Sequence, residues 1–162
     1  MSTYKDKLWK SRLLLDVAIQ EYILEEKRNK ALDDKVMFMI TAVGILLALH
    51  AALDLNLNNI FVFILSTSTF IFLFIPIYYF IMIFFSDKFS IMSLRENVLK
   101  DYESNLDELT IINNYIYLIT DVIKTNNIII ESKKSLYKKG FTFFIFGTLC
   151  VIICYFLNHF SG

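Results

Sequence analysis

Three uncharged apolar blocks constrain this chain more than anything else in it. Residues 36–53, 60–85 and 141–160 contain no Asp, Glu, Lys or Arg. As helices at about 1.5 Å per residue they would be roughly 27, 39 and 30 Å long, against a hydrocarbon core of about 30 Å. The chain has 162 residues, 56% apolar and 16% aromatic, so these blocks are most of its apolar content. The expectation is an all-α membrane protein with three transmembrane helices. A cleaved leader is a poor reading of the first block, which begins late and has no small-residue cleavage site with a soluble domain behind it.

Charges mark the edges of the blocks. Asp33, Asp34 and Lys35 sit directly against the first one, and Asp54 ends it. Each would cost about 2.5–3.5 kcal/mol at the bilayer centre, so together they fix where the span begins and ends. Residues 1–35 hold eight Lys and Arg, residues 86–140 hold the other eight, and neither the link 54–59 nor the tail holds any. The positive-inside rule then gives an N-in, C-out topology, with 1–35 and 86–140 forming one helical cytoplasmic domain. Both segments balance their charges closely, which argues against a duplex nucleic-acid surface. The sharpest bias is SKKSLYKKG, residues 132–140. Lys133, Lys134, Lys138 and Lys139 read either as a membrane-edge anchor or as the contact for an anionic ligand.

Within residues 1–35, Leu8, Leu15, Ile19 and Tyr22 share one helical face, while Leu13, Val17 and Leu24 share nearly the opposite one. A helix apolar on two sides needs partners on two sides. In the second segment Ile91, Leu94, Val98, Tyr102, Leu106 and Leu109 form one stripe, and beyond Ile111 apolar residues spread around the helix. This segment leaves the membrane and returns, so it needs a turn. A symmetric excursion puts it at Asn113–Asn114, with Ser104–Asn105 and Asn126–Asn127 as the other candidates.

Enzyme chemistry has little to build on. Four glycines form no phosphate-cradling loop, and residues 1–35 and 86–140 contain no His or Cys. No catalytic group, metal site or cofactor is expected. The pairs Glu25–Glu26, Asp33–Asp34 and Asp107–Glu108 diverge by about 100° on a helix and read as solvated faces.

Inside the blocks the informative residues are small or polar. Thr41, Gly44, Ala48 and Ala52 share a face of the first, and Gly147, Cys150, Cys154 and Asn158 share a face of the third. Small residues let membrane helices approach closely, so these faces are expected to dock on each other. Spaced four apart, Cys150 and Cys154 read as packing residues. His50 lies opposite the small face of its block. Ser66, Thr67, Ser68 and Thr69 fall near the middle of the second, bonding back to their own helix or, for Ser66 and Thr69 with Asn59, lining a polar seam. Ser66, Thr69 and His50 are the candidate pore-lining residues.

The helix ending in KRNKALDDKVMFMITAVGILLAL, the short link, the second span and the lysine-rich lead into the third resemble small bacterial antiphage membrane effectors. These include the SLATT group, the Pycsar transmembrane effectors and the Hailong effector. Asp34, Lys35 and Gly44 are the most specific element, and the layout covers the whole chain. The resemblance implies a multi-pass protein of the bacterial inner membrane that assembles as a homo-oligomer, most simply a tetramer. It also implies disruption of the membrane as an ion channel or pore, under a nucleotide or oligonucleotide second messenger from a nucleotidyltransferase or cyclase partner. A non-channel scaffold whose cytoplasmic helices dock another protein is the alternative, and a membrane-embedded enzyme a third.

Overall fold

A computed structural model describes residues 3–53, 55, 59–86 and 106–160. Those residues form three helices: α1 (Tyr4–Ala52), α2 (Ile60–Phe85) and α3 (Glu108–Phe160). All three are long and apolar enough to cross a membrane. The stripe residues Ile91, Leu94, Val98 and Tyr102, the candidate break Ser104–Asn105 and the boundary residue Asp54 lie outside the described residues.

Each helix starts from a recognisable cap. Before α1, the Thr3 hydroxyl accepts from the Asp6 N–H (3.4 Å) and the Asp6 carboxylate accepts from the Thr3 N–H (3.0 Å), a reciprocal capping box. These hydrogen bonds hold the Asp6 carboxyl below its ordinary value. Asn59 caps α2, its side-chain oxygen accepting from the Phe61 N–H at 3.0 Å. That corrects its expected place in a polar seam, because the side chain is engaged by its own helix. Asp107 precedes α3, its carbonyl accepting from the Ile111 N–H and its carboxylate from the Thr110 hydroxyl.

The expected turn at Asn113–Asn114 is absent, and so is a break at Asn126–Asn127: α3 runs through both pairs. The physical reason is that these asparagines are used between helices. Asn113 accepts from the Ser11 hydroxyl at 3.2 Å, Asn126 is fully buried, and Asn127 bonds Glu25. A side chain satisfied by a neighbouring helix no longer competes with its own backbone. Helix α1 is likewise unbroken across Asp33, Asp34 and Lys35.

The chain divides into two compact units, and α1 and α3 contribute to both. The first comprises residues 1–30 and 87–131. In it the two helices run parallel, as shown by Ser11 meeting Asn113, Arg12 meeting Glu108 and Glu25 meeting Asn127. Ser11, Ala18 and Glu25, seven residues apart, are buried, opposite Ile112, Tyr115, Ile119 and Asn126 on α3. This is the 3.5-residue repeat of left-handed helix packing.

The second unit comprises residues 31–86 and 132–162. Its core joins Val36, Met39 and Val43 of α1 to Leu73, Phe80 and Ile83 of α2. The buried residues of α2 are Val62, Ser66, Thr69, Leu73, Pro76, Phe80 and Ile83, alternating four and three apart. On α3 the buried positions are Lys133, Gly140, Gly147 and Cys154, again seven apart. Helix α2 is antiparallel to α3, since Phe80 meets Gly140, Leu73 meets Gly147 and Thr69 meets Cys154.

Candidate functional site

The second unit buries a polar seam. His50 on α1 is 1% exposed, and its Nε2 lies 3.1 Å from the Ser66 hydroxyl of α2. Phe70 packs edge-on against the imidazole, with centroids 4.9 Å apart. Thr69 lies one turn from Ser66, fully buried, with its hydroxyl 3.8 Å from the Cys154 sulfur of α3. The three sequence candidates His50, Ser66 and Thr69 therefore come together between helices of one chain. Thr69, Thr67 and Ser68 also donate to the carbonyls of Leu65, Phe63 and Ile64, each at 2.9 Å. Ser66 uses His50 instead. The other imidazole nitrogen, Nδ1, is buried with no hydrogen-bond partner among the described residues.

The small faces do not dock on each other. Thr41, Gly44 and Ala48 are exposed, and a Cβ added to Gly44 would meet nothing within 4 Å. The small face of α3 packs instead on α2. A Cβ on Gly147 would lie 2.6 Å from Leu73 Cδ2 and 3.3 Å from the Phe72 backbone, and one on Gly140 would lie 2.7 Å from the Phe80 ring. Cys154 is buried at this contact, and Cys150 is half-buried. Sequence reasoning missed Gly140 because it stands at the end of the lysine run. The seven-residue spacing Gly140, Gly147, Cys154 was the signal that identifies it.

The four lysines also separate. Lys133 is buried, with Nζ 3.2 Å from Asp33 Oδ1 on α1. Its expected role in binding an anion is corrected on that ground, since a buried amine already holds a carboxylate. Lys134, Lys138 and Lys139 are exposed. Asp33 therefore does more than mark a boundary: it neutralises a cation where the apolar stretches of α1 and α3 begin.

In the first unit, the reading of Glu25–Glu26 as one solvated face fails for Glu25. It is 4% exposed. The Arg28 guanidinium donates to it at 2.8 Å. The Asn127 amide, oriented so that its nitrogen is the donor, reaches both carboxylate oxygens at 3.1 Å. A cleft of about 350 Å³ opens beside these groups, lined also by Glu21, Leu24 and Ile123. Position was the available signal: Glu25 follows Ser11 and Ala18 in the seven-residue series. At the surface, Arg12 pairs with Glu108, which keeps the guanidinium pKa above its ordinary value.

No His, Cys, Asp and Glu grouping of three or more that could hold a metal ion occurs among the described residues. No protein-family model matches the chain, and no curated protein or solved structure matches it.

Proposed function

We propose that this chain is the membrane-embedded subunit of an oligomeric ion-conducting effector of bacterial antiphage defence. It lies in the inner membrane with its N-terminus inside. The observation that carries the reading is the His50–Ser66 pair, with Nδ1 unpartnered among the described residues, inside helices apolar enough to span a bilayer. Polar groups in that setting are expensive and by default functional. The seam is closed within one chain, so conduction requires α1 and α2 to move apart or rotate until His50, Ser66 and Thr69 reach a common path.

The resemblance supplies the signal: a nucleotide or oligonucleotide from a partner synthase. A ligand moves such an equilibrium only through its differential affinity for the two states. Lys134, Lys138 and Lys139, exposed near the start of the apolar stretch of α3, are the anion contacts in this reading. The scaffold reading draws support from one observation, the exposed apolar residues Trp9, Leu13, Val17 and Leu24 on α1.

Ion flux across liposomes containing purified parent protein separates the two readings. The effector reading expects flux, and expects a triple Lys→Glu variant at 134, 138 and 139 to lose its response to the synthase product. Impermeable liposomes, with and without that product, support the scaffold.

A further inference from the structure

The cleft beside Glu25 is a polar site that the membrane reading does not use. It opens between α1 and α3 of the first unit with a volume of about 350 Å³, within the range of small-molecule pockets. Glu25 is its buried lining residue, 4% exposed, whereas the Arg28 side chain that donates to it is 65% exposed and belongs to the rim. Glu21, one turn before Glu25 on the same face of α1, also lines the cleft. It is exposed and forms no ion pair among the described residues. Leu24 and Ile123 supply the apolar wall.

A charge at position 25 exceeds what packing requires. Ser11 and Ala18, the earlier members of its seven-residue series, are uncharged, and a carboxylate is almost never buried unless it is paired. Holding Asn127 does not call for a charge, since a glutamine at position 25 would still offer an acceptor oxygen. Arg28, mostly in water, does not call for one either.

We propose that this cleft binds a small aliphatic amine, its ammonium held between Glu25 and Glu21 and its methylenes lying on Leu24 and Ile123. An ammonium has three N–H donors, which suits two carboxylates one turn apart. The lining carries two carboxylates against one guanidinium, so it favours a cation and repels an anion. A metal ion is a poorer fit, because no third His, Cys, Asp or Glu joins the pair among the described residues. The bound ammonium competes with the Arg28 guanidinium for Glu25, and the exposed arginine turns outward into water. The site lies wholly within the first unit, so the inference stands or falls independently of the membrane-effector reading.

Isothermal titration calorimetry of the full-length protein in neutral detergent tests this with three probes of equal length: pentylamine, pentanol and pentanoate. Pentylamine is expected to bind saturably and the other two not to bind. Glu21→Gln should weaken pentylamine binding about fivefold, the upper end for one exposed ion pair. Glu26→Gln makes the same charge change at an exposed neighbour outside the cleft and should leave binding unchanged. Arg28→Gln should tighten it, because the competitor for Glu25 is gone. These variants separate a built site from general attraction of cations to the surface and from a Glu25 that only holds helices together. Absence of saturable binding, equal weakening by Glu21→Gln and Glu26→Gln, weakening by Arg28→Gln, or binding of pentanol or pentanoate as tight as that of pentylamine would overturn the proposal.

Discussion

Both units bury α3 at a seven-residue repeat, against α1 in the first and mainly against α2 in the second, and hold the helices together by different means. In the first, the parallel helices are tied by polar cross-links: Ser11 to Asn113, Arg12 to Glu108, and Glu25 to Asn127. In the second, glycines at 140 and 147 let Phe80 and Leu73 of α2 close onto α3, and polar contacts shrink to Lys133–Asp33 and the His50 seam. The difference follows the solvent each composition suits. In water, apolar burial drives association and polar ties choose the register. In lipid, apolar burial gains little, so close packing of small residues has to supply the stability.

The largest break in that comparison is expected from Gly147→Leu. The new side chain has to displace Leu73 and the Phe72 backbone, and overpacking of this kind should cost about 3 kcal/mol. A Tm in mild detergent within error of the parent would refute the glycine contact. Glu25→Ala comes next, at about 2 kcal/mol, because Asn127 and Arg28 lose a buried acceptor. Glu25→Gln should lose less, since one acceptor oxygen remains; equal losses from the two would show that the hydrogen bonds contribute nothing.

Lys133→Ala leaves Asp33 without its partner. Breaking a fully buried pair would cost about 3–5 kcal/mol, and partial exposure of Asp33 lowers the expectation to about 1–2 kcal/mol. The comparison sharpens if Asp33→Ala together with Lys133→Ala is milder than the sum of the single changes. Smallest of all, Gly44→Leu should stay within about 0.5 kcal/mol in the isolated chain, because nothing lies within 4 Å of its added Cβ. A large loss there would mean that a second copy covers the Gly44 face.

The apolar blocks were legible because charge is excluded from a span by several kcal/mol, and α2 occupies the same residues as the second block. The two faces of α1 were legible for the same reason of periodicity: Leu8, Leu15, Ile19 and Tyr22 are half-buried, whereas Leu13, Val17 and Leu24 are exposed. Asparagine misled because its preference for turns is a property of unsatisfied backbone, and Asn113 and Asn127 are satisfied across the helix pair. Small residues misled in a related way. A stripe of them permits close approach without naming the partner, so the face of α3 was read correctly as a packing face and assigned to the wrong helix. His50, Ser66 and Thr69 were identifiable as polar residues in apolar surroundings. Their convergence was not, because it depends on α2 running antiparallel at one particular register. The burial of Glu25 and Lys133 was not legible, since charge near other charge reads as surface until a partner helix covers it.

The central claim is that the His50–Ser66 pair serves conduction beyond holding helices together. Single-channel conductance of His50→Phe in planar bilayers, beside the parent and Ser66→Ala, tests it most directly. Interhelical hydrogen bonds of this kind are worth about 0.6 kcal/mol on average, so the variants should assemble and keep nearly the parent Tm. The account predicts that His50→Phe loses conductance and that Ser66→Ala lowers it, with oligomer size unchanged. Parent-like conductance in an assembled His50→Phe protein would contradict it.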